Sequence, residues 1–465
     1  MGVIKTLRSK SNRLVCYACF LFIVVMVTFI PGCQQAASVT PSPLQTQIPP
    51  SPVPERSPTL SPYVSATPSQ FPTPVPREGP QLDINGESSN SYLIPLHAQH
   101  VTEGTVVLVF ELETAEGGYL FYWSPVAADI QETAVPLKSD AVLHEITIQG
   151  LTPSTEYHFA IGLGEDIGPY VPPSFLGESW DPIRIRTLGV DQWPLRIGVF
   201  GDSGFGGSTT QALADTMATY DLDFVLHTGD LVYHIHENAD PAEAFALKYF
   251  DTLGSLQHRS VIYPIPGNHD YDPDAFWTGK PYYDKVFNPI HDTRFPGDNL
   301  SGGRHWYALA YGPIQFVMLD TQAFYGLEGR SEQNAWLKDR LEDDRFTVTI
   351  PIFHVPPYTS GLHGNDGRAV QSDWIPLFEN GRVSLVLSGH DHNYERLKVQ
   401  GITYIVSGGG SSVLYDMSVQ LEGSQFFAAR THFSLLEVYP DHIDVSAITL
   451  DGETIDQATV DFIRD

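Results

Sequence analysis

Cysteine is nearly absent from this chain of 465 residues: Cys16, Cys19 and Cys33 all fall within the first 33 positions. Past Cys33 there is no thiol for a disulfide, a thiolate ligand or a cysteine nucleophile, so the chemistry rests on oxygen and nitrogen groups. Positive charge is also scarce. Lys and Arg number 26 against 55 Asp and Glu, a formal charge of −29. Four of the basic residues (Lys5, Arg8, Lys10, Arg13) precede the first acidic one, and without residues 1–32 there remain 22 basic against 55 acidic residues, or −33. A chain this acidic is a poor general binder of nucleic acid, whose affinity rests on neutralising phosphates. It also repels anions at long range, so a phosphate substrate would need bound cations to supply a local positive field. The same acidity is equally accounted for as what keeps a surface protein soluble. With 42% hydrophobic and 12% aromatic residues, the chain fills two cores of ordinary domain size.

The basic cluster precedes an apolar run from Leu14 to Ile30, the layout of a secretory signal peptide. The alternative is an uncleaved transmembrane helix, since about 17 residues is the short edge of what spans a bilayer. Ile30, Pro31, Gly32 and Cys33 resemble the bacterial lipobox, with Pro31 at a position usually small or β-branched. The resemblance implies residues 1–33 as a signal with lipidated Cys33, and a protein anchored on the extracellular face of a bacterial cell membrane, or secreted. Any membrane contact is then through that anchor alone. Residues 34–80 follow as a linker: 13 prolines lie between Pro41 and Pro80 among Ser and Thr. Such a segment buries too little apolar surface to offset its ordering entropy and acts as a spacer.

From 81 to 190 short apolar or alternating runs recur between turn signals: Thr105 to Leu112, Gly118 to Ser124, Leu143 to Gln149, Glu156 to Leu163 and Ile183 to Leu188. That rhythm predicts an all-β sandwich. Leu151, Pro153, Thr155 and Tyr157 resemble the L-x-P-x-T-x-Y signature of fibronectin type III domains, where the Tyr closes a corner by hydrogen bonding back to the backbone. From 191 to 465 the pattern becomes α/β. Leu195 to Phe200, Phe224 to His227, Val261 to Ile265, Ile314 to Leu319, Thr347 to Phe353 and Ser384 to Leu387 read as buried strands. Thr209 to Tyr220, Pro241 to Leu256, Ser331 to Leu341 and Val370 to Phe378 read as helices. Thr403 to Val406, Phe433 to Val438 and Ile443 to Ile448 suggest a second sheet in the same domain.

Several of these strands run into metal-ligand chemistry. Phe200 leads to Gly201-Asp202; His227 leads to Gly229-Asp230 and on to Tyr233; Pro266 leads to Gly267-Asn268-His269-Asp270. His354 follows Phe353, and Ser388 leads to Gly389-His390-Asp391-His392. A glycine before the ligand lets the chain turn sharply, so that short carboxylates, amides and imidazoles point into one cleft. Carboxylates bridge cations, imidazole suits Fe and Zn, and a phenolate favours a hard trivalent ion. Each piece alone is weak; a single Gly-Asp is a common turn, and a single strand-end His is more often a satisfied structural residue.

Together the set resembles the five blocks of the calcineurin-like metallophosphoesterases, and Tyr233 narrows the resemblance to the purple acid phosphatases. The match runs from about Trp193 to Val438, supported by His305-Trp306-Tyr307, Phe316 to Asp320 and Tyr394-Glu395-Arg396. It implies two packed mixed sheets flanked by helices. It also implies Fe(III) on Asp202, Tyr233 and His392, a divalent Zn, Mn or Fe on Asn268, His354 and His390, and Asp230 bridging them. A tyrosinate-to-iron band and a purple colour follow from it. So does hydrolysis of small phosphate monoesters by in-line attack of a hydroxide held on the metals. His269, beside Asn268, and His363, nine residues after His354, are candidates to contact the phosphate and protonate the leaving group. Phosphodiesterase or nucleotidase action on the same site is an alternative, as is a cell-surface binding protein with an inert metal domain. His234 and His236 read as surface residues, and His227 as a buried one.

Overall fold

The computed structural model describes residues 92–125, 133–164, 182–233, 241–271, 281–287, 300–301, 305–324 and 330–463. The signal, lipobox and linker readings, with His234 and His236, lie outside the described residues. Among those described, no helix is long and apolar enough to cross a membrane.

The first described part is all β. Strands β1 (Tyr92–Val101), β2 (Thr105–Leu112) and β5 (Leu143–Gln149) form one sheet, in the order β1-β2-β5. Strands β3 (Gly118–Trp123), β4 (Thr133–Pro136), β6 (Glu156–Leu163) and β7 (Ile183–Arg186) form the other, in the order β4-β3-β6-β7. All pairings are antiparallel. Inward residues such as Ile94, Leu108, Phe110, Leu120, Phe159 and Ile161 are fully buried, as alternation over two facing sheets requires. At the predicted corner the Thr152 N–H donates to the Tyr157 hydroxyl at 3.0 Å.

The second part contains two larger sheets. One holds β8 (Leu195–Phe200), β9 (Phe224–His227), β10 (Ile262–Pro264), β19 (His432–Val438), β20 (His442–Thr449) and β21 (Thr454–Asp461), in the order β10-β9-β8-β19-β20-β21. Its β8, β9 and β10 run parallel and the rest antiparallel. The other sheet holds β11 (Leu300–Ser301), β12 (Tyr307–Tyr311), β13 (Ile314–Met318), β14 (Val348–Ile352), β15 (Leu385–Ser388), β16 (Tyr394–Val399), β17 (Ile402–Ser407) and β18 (Ser424–Ala428). Its order is β11-β12-β13-β14-β15-β17-β16-β18, with β13, β14, β15 and β17 parallel. The central parallel strands of both sheets are buried on both faces, which is why they read as continuous apolar runs. Ser407 ties the sheets together, donating to Val199 O at 3.1 Å.

Helices cover the faces. In Gly207–Met217 the buried residues Thr210, Leu213, Ala214 and Met217 make one stripe. Gly198 in β8 makes room for this packing: a Cβ there would lie 2.9 Å from Met217 Cε and 3.0 Å from Leu222 Cδ1. The helix expected from Pro241 to Leu256 is present but contains a π-type stretch, Ala246–Phe250. The helix expected over Val370 to Phe378 is instead two helices, Arg368–Asp373 and Ile375–Asn380. The break at Trp374 follows from Pro376, which clashes with a continuing helix behind it.

The sandwich and the α/β part share buried contacts. His100 Nδ1 and the Val101 N–H both meet the Tyr263 hydroxyl at 3.0 Å. The Tyr311 hydroxyl donates to Gly189 O at 2.7 Å, and Lys285 pairs with the buried Glu111 at 2.8 Å.

Three buried histidines give this fold a pH dependence. Burial away from water lowers His97, His100 and His432 from the ordinary 6.5 to about 4. The unfolded chain therefore takes up their protons at a higher pH than the folded one. The stability they contribute is intact above pH 6.5 and is lost as the pH falls toward 4. The thermal midpoint of the full chain should fall steadily across that window; a flat profile from pH 6.5 to 4 would contradict it.

Candidate metal centre

The predicted ligands arrive at the C-terminal ends of parallel strands of both sheets, where α/β folds place their chemistry. Asp202 follows β8, Asp230 and Tyr233 follow β9, and Asn268 follows β10. His354 follows β14, while His390 and His392 follow β15.

Local backbone geometry aims them. Asp202, Asp230 and His390 have φ of 60°, 58° and 69°, in the left-handed region, a strained conformation that Asp and His tolerate better than most residues. The expected reason for the preceding glycines holds at Gly229, with φ of 99°. At the others the reason is space. A Cβ on Gly267 would sit 2.0 Å from Asp230 Oδ1, and one on Gly389 would sit 2.6 Å from Asp202 Oδ2.

The side chains converge as two adjoining groups. The Tyr233 hydroxyl lies 3.2 Å from Asp202 Oδ1 and 2.8 Å from His392 Nε2, and His392 Nε2 is 3.6 Å from Asp202 Oδ1. In the second group His354 Nε2 is 3.1 Å from Asn268 Oδ1, 3.3 Å from Asp230 Oδ1 and 3.3 Å from His390 Nδ1.

Ring tautomers are set by the opposite nitrogen of each imidazole. His354 Nδ1–H donates to Thr228 O at 2.8 Å, and His392 Nδ1–H donates to Val413 O at 2.8 Å. His390 reverses the pattern, with Nε2–H donating to Asp366 Oδ2 at 3.1 Å. Each imidazole thus turns its other nitrogen, Nε2, Nε2 and Nδ1 respectively, toward the cleft, the arrangement that outer hydrogen bonds impose on metal-ligating histidines.

The electrostatics fit cations. Burial, reinforced by the neighbouring Asp230, holds the Asp202 carboxyl well above the usual range. Burial pushes Asp230 the same way, but the charge and hydrogen bond of His354 overcome it and leave Asp230 below that range. His354 rises to about 10 against its own burial because Asp230 and Asp202 face it. No Lys or Arg among the described residues hydrogen bonds to either carboxylate. Two buried carboxylates, a phenol, an amide and three oriented imidazoles form a donor set that suits two metal ions.

His269 donates its backbone N–H to Asp230 Oδ1 at 2.9 Å, and its ring lies 4.5 Å from that of Tyr233. His363 stacks obliquely on His390 at 4.3 Å, and its Nδ1 meets Asp366 Oδ2 at 3.1 Å. Both candidates therefore stand beside the ligands. His227 is buried and bonded to Ser203 Oγ at 2.8 Å.

Three carboxylates with structural work were given no role by the sequence reading. Asp270 is buried and accepts four backbone N–H groups, from Asp230, Leu231, Val232 and Gly267, at 2.8 to 3.2 Å. It locks the Asp230 turn to the Asn268 turn. Asp391, between His390 and His392, turns away from the cleft. It accepts Thr359 Oγ1 at 2.6 Å, Leu362 N at 2.9 Å and His363 N at 3.1 Å, which fixes the loop bearing His363. Asp366 joins His363 to His390. Asp270 and Asp391 had a signal, adjacency to a ligand; Asp366 had none.

Residues 195–394 match the calcineurin-like phosphoesterase family model. More narrowly, the curated proteins it resembles include purple acid phosphatases. Purple acid phosphatase 23 of Arabidopsis thaliana is 26% identical over 310 residues, covering 59% of this chain and 64% of that one. Purple acid phosphatase 1 of Ipomoea batatas is 27% identical over 305 residues, covering 60% and 57%. Fe(3+)-Zn(2+) purple acid phosphatase 12 of A. thaliana is 26% identical over 300 residues, covering 60% and 57%. The chain thus spans less than two thirds of the length of these relatives. A purple acid phosphatase from yellow lupin seeds shares the fold, with a TM-score of 0.58 at 17% identity, covering 79% of this chain and 74% of that one.

Two substitutions test the scaffold. Asp270→Ala leaves four buried N–H groups without an acceptor and should cost about 3 kcal/mol of stability, seen as a lowered denaturation midpoint. Gly267→Ala drives a methyl into Asp230 and should reduce metal bound per chain while circular dichroism stays native. Full metal content in Gly267→Ala would contradict this account of the glycine.

Proposed function

We propose that the chain hydrolyses phosphate monoesters at a two-metal centre, with Asp202, Tyr233 and His392 holding Fe(III). Asn268, His354 and His390 would hold a divalent Zn, Mn or Fe, with Asp230 shared between the two. One observation carries the reading. Donors from two sheets meet in two adjoining groups, each imidazole presenting a nitrogen fixed by its outer hydrogen bond. The relative named for iron(III) and zinc supports the choice of metals.

When bound, the ions supply positive charge to the phosphoryl oxygens and Lewis acidity toward water. The chain does the rest. Asp230 and Asp202 fix the spacing of the two groups, and Asp270 keeps Asp230 in its strained turn. His269 and His363 stand at the rim, where a phosphoryl oxygen and the leaving group would lie. With Asp366 accepting from Nδ1–H, the imidazolium form of His363 has an Nε2–H to pass to the departing alkoxide or phenoxide and is left as the neutral Nδ1–H tautomer.

We further read residues 81–190 as a fibronectin type III-like module, supported by its three- and four-stranded sheets and the Tyr157 corner, and 191–465 as the catalytic domain. The lipobox-like stretch supports anchoring at Cys33 outside the cell.

Asp230→Asn should abolish turnover of 4-nitrophenyl phosphate by the metal-loaded protein, by at least about 10³-fold; undiminished hydrolysis would sink the assignment. Tyr233→Phe should remove the visible ferric-phenolate band while leaving the fold native. His363→Ala should lower kcat about 10²-fold for alkyl phosphates, whose leaving group needs a proton, and much less for 4-nitrophenyl phosphate. Equal losses on both substrates would remove His363 from that role.

A further inference from the structure

The mouth of the site is apolar. Phe205, Leu362, Val413 and Met417 are large hydrophobic side chains left exposed, and each belongs to a segment that builds the centre. Phe205 follows Asp202 by three residues, Leu362 precedes His363, Val413 supplies the carbonyl that holds His392, and Met417 lies two residues beyond Tyr415. Exposing such side chains costs free energy unless something covers them.

Two aromatic rings are the best placed of these groups. Phe205 stacks on Tyr233 with centroids 4.2 Å apart and planes at 27°, and stands edge-on to His392 at 6.3 Å and 81°. The half-buried Tyr415 stacks on His392 at 4.2 Å and 11°, and lies 5.6 Å from the ring of His363. The two rings flank His392, beside the donors that would take the phosphoryl group. Among the described residues here, Asp366 is partly exposed beside His363, and Asp416 is exposed next to Tyr415. Arg368, close in sequence, is hydrogen bonded to Asn365 at 2.7 Å.

We propose that this aromatic mouth selects phosphate monoesters whose leaving group is an uncharged aryl ring, in preference to nucleoside polyphosphates and sugar phosphates. The inference rests on the two-metal phosphatase reading of the same site. With the phosphoryl group at the donors, the leaving group passes Phe205 and Tyr415, where a flat ring gains stacking and apolar burial worth roughly tenfold in affinity. A sugar carries hydroxyls that such packing would strip of water, and the further phosphates of a nucleoside polyphosphate meet Asp366 and Asp416.

Non-hydrolysable phosphonates separate this preference from leaving-group chemistry. Calorimetric titration of the full-length, metal-loaded protein should give 2-naphthylmethylphosphonate a Kd at least about tenfold below those of methylphosphonate and octylphosphonate. Phe205→Ala should shrink the naphthyl-to-methyl ratio by about tenfold. The inference is overturned if naphthyl and methyl compounds bind alike, if octylphosphonate matches the naphthyl compound, or if Phe205→Ala leaves the ratio unchanged. Failure of every phosphonate to bind, together with no ester hydrolysis, would overturn the phosphatase reading and this inference with it. Methylphosphonate binding with no aryl advantage overturns this inference alone.

Discussion

Asp202 and Asp230 are buried within interaction range of each other, and the rest of the site follows from what that burial demands. Taking a carboxylate out of water costs several kcal/mol, and a second one nearby raises the cost. The chain pays it three times over in geometry: strained turns at both residues, glycines where any Cβ would strike a carboxylate oxygen, and His354 set against Asp230 at 3.3 Å. Such a concentration of negative charge is sensible only where cations are to be held. With no cation there, Asp230 and Asp202 raise the proton affinity of His354; a metal ion on its Nε2 takes the place of that proton.

The outer groups matter as much as the ligands. Thr228 O, Val413 O and Asp366 each take one imidazole proton and so decide which nitrogen faces the cleft. Asp391 and Asp270 act on loops instead, one on the segment with His363 and the other on the turns with Asp230 and Asn268. Positioning is thereby delegated to groups outside the donor set itself.

Much of this was legible in the chain, for definite reasons. Strands such as Leu195–Phe200 and Phe224–His227 are buried on both faces, so their apolar runs stand out without any partner. The ligands sit beside glycines at the ends of those runs, which made them findable as a set. Tyr394–Val399 was missed as a strand because Arg396 and Lys398 interrupt its pattern; Arg396 is accommodated by Asp456, 60 positions later, at 2.7 Å. Thr454–Asp461 was missed because an edge strand that is half exposed carries polar residues. The tautomer-setting carbonyls were invisible in principle, since a backbone carbonyl has no residue type and only folding decides which one an imidazole meets.

The two sheets of the α/β part each bring donors to one cleft, and the backbone of His390 already reaches Asp202 across 188 positions of sequence. An ion held by donors so far apart closes a loop of that length, and in the chain-entropy treatment of cross-links such a closure removes about 5 kcal/mol of unfolded-state freedom. With no cysteine past position 33, the chain has no disulfide with which to make such a closure there. A metal pair at this centre would thus also staple the two sheets of the α/β part, and chelation should loosen them from each other as well as empty the site.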